Sequence, residues 1–170
     1  MRNLFPKFFL AAWITVGALW AGTLHAQVTG FVQVNLVSDI PGLATLTEPK
    51  LVNPWGVSHS STSPFWTSNQ GTSTATLFAV TDRTTITKVT AVNPPTGNIT
   101  IPTTATGPQG PTGQVNNTNT MSFPVNGDGA DGGSAHFIFA NLNGTISAWD
   151  AGPEAFIQVT TPGAVNRRAS

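Results

Sequence analysis

Cysteine is absent from this 170-residue chain. Its absence rules out disulfides, thiol nucleophiles, cysteine-based zinc sites and haem attachment. Charge is scarce as well: seven Lys and Arg face seven Asp and Glu, together 8 % of the residues. No basic stretch exists to attract a phosphate backbone, so nucleic acid is not an expected partner. Histidine is limited to His25, His59 and His136, too few to define a zinc site without carboxylate support. No Gly-x-Ser-x-Gly nucleophile motif occurs. After residue 26, no segment carries apolar residues at helical spacing over three turns.

One long apolar run is present, FFLAAWITVGALWAG at residues 8–22, preceded by Arg2 and Lys7 and followed by the polar exit TLHAQ. A basic start, an apolar middle and a small residue before a polar exit describe a secretory signal peptide. The reading is a signal helix over residues 1–26, cleaved after Ala26. The run is shorter than the roughly 20 residues that span a bilayer. The expected destination is the periplasm, the extracellular space or the cell surface, with no membrane attachment after cleavage. Loss of Arg2 and Lys7 leaves a net charge of about −2. Roughly 144 residues then remain, enough for one domain, which must be held together by its core or by assembly.

That remainder is rich in Thr, Ser, Asn, Gly and Pro, yet Val, Ile, Leu, Phe and Trp recur in short runs. Alternation at period two is frequent, so the expectation is an all-β domain. Strands are predicted at FVQVNLV (31–37), WGVSH (55–59), PFWTSN (64–69), TATLFAVT (74–81) and TITKVTAV (85–92). Three more follow at HFIFAN (136–141), GTISAWD (144–150) and AFIQVTT (155–161). Residues 38–54 read as an irregular entry, where Pro49 and Pro54 block regular pairing. Residues 93–114 read as a Pro/Gly-rich excursion in which only NITIP resembles a strand, and 126–135 as a flexible loop. The domain is predicted over 27–161, with an irregular tail at 162–170.

Two regions resemble each other. FWTSNQGT (65–72) leads into TATLFAV, and FIFANLNGT (137–145) leads into ISAWD. Each is an apolar strand ending in Asn, a glycine-containing turn entering Thr, and a strand closing on an aromatic residue. Asn and Gly tolerate positive φ and permit the reversal, while β-branched Thr starts the next strand. Four strands repeated over roughly 40–50 residues is the pattern of a β-propeller blade. Phe65 and Phe137 lie 72 residues apart; the excess is assigned to the excursion at 93–114. The expectation is a partial propeller of about two four-stranded antiparallel blades, with Trp55, Phe65, Trp66 and Trp149 filling the wedge between them.

Asn35 to Phe78, together with PTGQV at 111–115 and FIFANLNGTISAWD at 137–150, resembles an uncharacterised exported bacterial β-propeller family. That family is similar to the six-bladed propellers of the NHL-repeat and gluconolactonase/regucalcin-like group. The resemblance covers most of residues 35–161. It implies a propeller, export and no established activity. Family members are much longer, so the chain reads as an N-terminal fragment carrying about two blades of six. A partial ring leaves blade edges exposed, which favours self-association.

Three candidate sites arise. Asn126, Asp128 and Asp131 in NGDGADGG offer oxygen ligands suited to calcium, although a solvated glycine-rich turn explains the stretch more simply. The gluconolactonase-like relatives hold calcium at the channel mouth through Glu, Asn and Asp, but neither Asn53 nor Asn69 matches that set residue by residue, and turn formation is the simpler role for both. Trp55, Trp66 and Asn69 offer a stacking platform for a sugar or peptide, with core packing as the plain alternative. Asn-x-Thr patterns at 98–100, 116–118 and 143–145 are expected by chance in such a composition. The functional expectation is a non-enzymatic exported binding module without a cofactor, whose partner is a protein or glycan. The alternatives are a calcium-dependent lactonase or esterase-like hydrolase among full-length relatives, or a cell-surface structural protein.

Overall fold

The computed structural model describes residues 30–90, 96–104, 109–127 and 132–161. The expected signal helix at 1–26 and the tail at 162–170 lie outside these residues. The chain divides into two compact units, Met1–Gln33 and Val34–Ser170, and the architecture below belongs to the second. Among the described residues no helix is long and apolar enough to cross a membrane.

The unit is all-β. A first sheet is an antiparallel meander of β3 (Pro54–Ser58), β4 (Phe65–Asn69), β5 (Thr74–Val80) and β6 (Ile86–Lys88), with β7 (Asn98–Thr100) also pairing β5. A second is the antiparallel meander β8 (Pro111–Asn116), β9 (Phe137–Asn141), β10 (Thr145–Trp149) and β11 (Phe156–Thr160). Before them, β1 (Val37–Ser38) and β2 (Leu46–Thr47) form a two-residue parallel pair.

The strand expected at 31–37 is not formed. Pairing begins only where Asn35 and Leu36 carbonyls accept the Thr45 and Leu46 N–H groups. Phe31 is fully exposed, so alternation there has no sheet to serve. The opposite error occurs at β8, which the sequence places inside the Pro/Gly excursion. Proline is tolerated as the first residue of a strand, and glycine marks a bulge. In β8 the register slips between Pro111 and Gly113 against β9. The same device opens β3, where it slips between Pro54 and Gly56 against β4. Pro54 therefore starts a paired strand instead of blocking one.

The two sheets share several local features. Asn53 and Gly110 precede these prolines with φ of 49° and 92°, and their carbonyls accept the N–H groups of Gln70 and Leu142. Asn69 and Asn141 end the second strands. Asn69 Nδ2 donates to the Thr74 and Thr76 hydroxyls at 3.2 and 3.1 Å. Asn141 Nδ2 donates to the Thr145 and Ser147 hydroxyls at 3.0 and 2.9 Å. The sheets start 57 residues apart at Pro54 and Pro111, while their second strands stand 72 apart at Phe65 and Phe137. The excess thus lies also in the long β8–β9 connection, and not in residues 93–114 alone. The outer strand of the first sheet is itself split into β6 and β7, which pair the two halves of β5.

Alternation puts Trp66 and Ser68 on one face of β4, and Phe65, Thr67 and Asn69 on the other. Trp66, Ala75 and Leu77 meet Phe137 and Phe139 in one buried cluster with Ile99, Ile101 and Ala155. In the second sheet it is therefore the Phe137–Phe139–Asn141 face, the counterpart of Phe65–Thr67–Asn69, that turns toward the first. The sheets stack head to tail. Gln114 of β8 ties the seam, donating from Nε2 to the carbonyls of Trp66 and Gly56.

The outer faces are partly covered by local segments. Leu36, Val37, Leu46 and Leu51 pack on Phe78 and Ile86, and Val125 and Ala135 pack on Ala148. Among the described residues the one ion pair, Glu48 to Lys88 at 2.5 Å, fixes the entry segment to β6.

The β5–β6 turn gives a pH prediction. The Thr84 N–H, with the Thr85 N–H, points at the Asp82 carboxylate at 2.8 and 2.7 Å. These bonds hold its carboxyl down at about 2. Hydrogen bonds to the ionised form favour it. A carboxyl depressed on folding supports the turn above its unfolded pKa and releases it as pH falls through its folded value. The Thr84 and Thr85 amide resonances should accordingly titrate with a midpoint near 2, and Asp82→Asn should abolish that titration.

Candidate functional site

A concavity of about 460 Å³ opens at one end of the seam between the sheets. Its floor is aromatic and aliphatic: Trp66 and Leu77 from the first sheet, Val89 just beyond β6, and Phe137 and Trp149 from the second. Its rim comes from two connections, residues 60–64 between β3 and β4, and Asn116 to Thr118 at the start of the β8–β9 connection, joined by His136. Because the sheets share these features and are stacked head to tail, these two connections occupy equivalent positions and stand side by side.

The rings are fixed in place. Trp66 stacks on Phe137 with centroids 4.1 Å apart and planes 19° from parallel. Trp149 tilts against Trp66 at 4.8 Å, and its indole N–H donates to the Gly152 carbonyl at 2.9 Å. Trp66 is 2 % exposed, whereas Trp149 is half-buried, so Trp149 is the more accessible of the two indoles. His136 is exposed and meets Trp149 edge-on at 5.9 Å.

The rim is organised by its own hydrogen bonds. Ser60 Oγ accepts the N–H groups of Thr62 and Ser63 at 3.3 and 2.9 Å. Asn117 Nδ2 donates to the Ala135 carbonyl at 2.8 Å and to the Asn119 carbonyl at 2.9 Å. Asn116 Nδ2 donates to the His136 carbonyl at 3.0 Å, leaving its carbonyl oxygen for other use. The Ser61 and Thr118 hydroxyls have no internal partner among the described residues. Among the described residues no Asp, Glu, Lys or Arg lines the cleft. Among the described residues no group of three or more His, Cys, Asp or Glu converges as metal ligands would.

Of the residues singled out for stacking, only Trp66 reaches this cleft, and it does so as buried floor. Trp55 stands in the β3 bulge at 40 % exposure, away from the cleft. Asn69 is fully buried at the other end of β4. Its φ is −105°, and its side chain is engaged by Thr67, Thr74 and Thr76. It is an interior hydrogen-bonding hub, and the left-handed turn residue after β4 is instead Ser73, with φ 52°. Asn53 does take the positive-φ turn role. Asn126 is tied to Gln158 and Pro124, while Asp128 and Asp131 lie outside the described residues.

Trp149, Asn116, Thr118, Ser61 and His136 escaped the sequence reading as site residues. The signal that would have found them is the repeat itself. Aligning Pro54 with Pro111 places residues 59–64 opposite residues 117–136, and hence one polar rim opposite the other. No family model, curated protein or solved structure matches the chain.

Proposed function

We propose that this chain is a portion of an exported β-propeller, contributing two blades, and that it works as a non-enzymatic binding module through the cleft at the end of the blade seam. The observation carrying this reading is the head-to-tail stack of two sequential antiparallel sheets, the first of five strands and the second of four, with a rimmed cleft on their common seam. Heterologous stacking of this kind, repeated, generates a ring when the rotation between units closes. Placing β3 beside β8 agrees with inner strands arranged around an axis. Export follows from the basic-apolar-polar start of the sequence.

Binding is the function the cleft suits. Its volume falls within the about 300–1,000 Å³ typical of small-molecule sites, with an apolar floor and a few convergent polar groups. Among the described residues its lining offers one imidazole and no carboxylate, so acid and base partners for hydrolysis are not assembled there. On the far face of the second sheet, Val115 and Val159 remain about half exposed. In this reading they mark where a further blade, or a second copy, packs.

A screen of uncharged ring-containing fragments against the ¹⁵N-labelled protein tests the reading. Fragment-induced shifts should centre on Asn116, Thr118, His136 and the Trp149 indole, and simple lactones with calcium should show no turnover above buffer. Fragments that ignore the cleft, or saturable lactone hydrolysis, would overturn it.

A further inference from the structure

Resting on the cleft as a binding site, we infer that its ligand is an uncharged glycan, with a hexose ring seated on Trp149 and its hydroxyls read by Asn116, Thr118, Ser61 and His136. Three observations lead there. First, the more accessible indole of the floor is held rigid by the Gly152 carbonyl and by Trp66. A pyranose presents a face of C–H groups that lies well on such a ring, and aromatic rings bring large contact area with little conformational freedom to lose.

Second, the rim offers hydrogen-bonding groups without internal hydrogen-bond partners among the described residues: the Ser61 and Thr118 hydroxyls, the Asn116 side-chain carbonyl oxygen and the His136 ring nitrogens. A sugar edge alternates donors and acceptors, and these groups supply both. Third, among the described residues no fixed charge lines the cleft. A phosphate, carboxylate or ammonium entering it would lose water without gaining a counter-charge, which is costly. A neutral polyol meets no such penalty. The volume of 460 Å³ leaves room for about two rings.

The seam also explains why the cleft lies at this end. The tryptophans, Trp66 and Trp149, lie at the end of the blades where the β3–β4 and β8–β9 connections meet. At the opposite end of the second sheet's seam face stands instead the Asn141 network with Thr145 and Ser147.

The test titrates the full chain with cellobiose, maltose, chitobiose and mannobiose, and with cellobiouronic acid as the charged control, following amide shifts and tryptophan fluorescence. At least one neutral disaccharide should bind with a Kd of about 1 mM or tighter. Its shifts should cluster on Asn116, Thr118, His136 and Trp149, and the acidic sugar should bind at least fivefold more weakly. Thr118→Val, at the exposed rim, should weaken binding about three- to tenfold while leaving the unfolding midpoint unchanged, and Asn116→Ala should weaken binding by a similar factor. Trp149→Phe should retain part of the affinity, and Trp149→Ala should remove it. If the uncharged fragments occupy the cleft but no saccharide binds, or if an uncharged tetrapeptide binds in their place, the glycan assignment fails while the cleft reading stands. Saccharide shifts remote from the cleft, or equal affinity for the acidic sugar, would also overturn it.

Discussion

Trp66→Ala is expected to destabilise the protein by about 3–5 kcal/mol, the range for removing a large aromatic side chain from a packed core. Native stabilities are only about 5–15 kcal/mol, so most of the protein's margin would be lost. Trp66 warrants this figure because of where it sits. It belongs to the first sheet, but its ring contacts are all on the second: Phe137 at 4.1 Å, Trp149 at 4.8 Å and Phe139 at 6.5 Å. Deleting it opens a cavity on the seam, and the surrounding strands are held in register by their own ladders and cannot collapse into it. Trp55→Ala, at a half-exposed position, should cost about 1 kcal/mol or less, since less area returns to water. Urea unfolding of the two variants measures the contrast directly. Equal midpoints would mean that the seam is not the principal core. Trp66→Phe separates packing from polarity. Its cost should be near 1–2 kcal/mol, because the indole N–H it removes is buried without a hydrogen-bond partner, and such a donor carries a desolvation penalty.

The same ring shows what the sequence makes legible and what it does not. β4, β5, β9, β10 and β11 were readable because alternation, β-branched residues and Asn/Gly turns agree within a few residues. β8 was not, since PTGQVN has neither alternation nor β propensity; its strand conformation comes from pairing with β9, a contact that tertiary structure supplies. FVQVNLV fails the other way, having the local pattern without a neighbouring edge. Asn69 looked like a turn residue because Asn favours turns, but burial among Thr67, Thr74 and Thr76 made it a hub. The cleft was least legible. Its residues come from six segments that become neighbours only when one sheet lies head to tail on the next, and no local pattern encodes that step.

Gly110→Ala carries the other large expected effect, about 2–4 kcal/mol, by a route unrelated to the loss of buried area. Gly110 has φ of 92°, where a Cβ is strained whatever space surrounds it. Here there is no space. A Cβ would collide with the Gln70 carbonyl oxygen, and would stand 2.9 Å from the Gln70 carbonyl carbon and 3.0 Å from its Cα. Those are backbone atoms, so no rotamer change relieves the clash. Gln70 follows β4 of the first sheet and Gly110 precedes β8 of the second, so the strain falls on the junction between the sheets. The counterpart position behaves differently. Asn53 adopts φ of 49°, where Gly is at ease, and its side chain makes only the exposed bond to Gln70 Oε1 at 2.7 Å. Asn53→Gly should therefore shift stability by less than about 0.5 kcal/mol. Thermal or urea unfolding of the pair distinguishes two accounts of the repeat. If the sheets share only a turn conformation, Gly110→Ala should cost no more than the about 1–2 kcal/mol of left-handed strain. A clearly larger loss means that Gly110 is also the point of closest approach between the sheets, and that the two are locked at their backbones as well as through their rings.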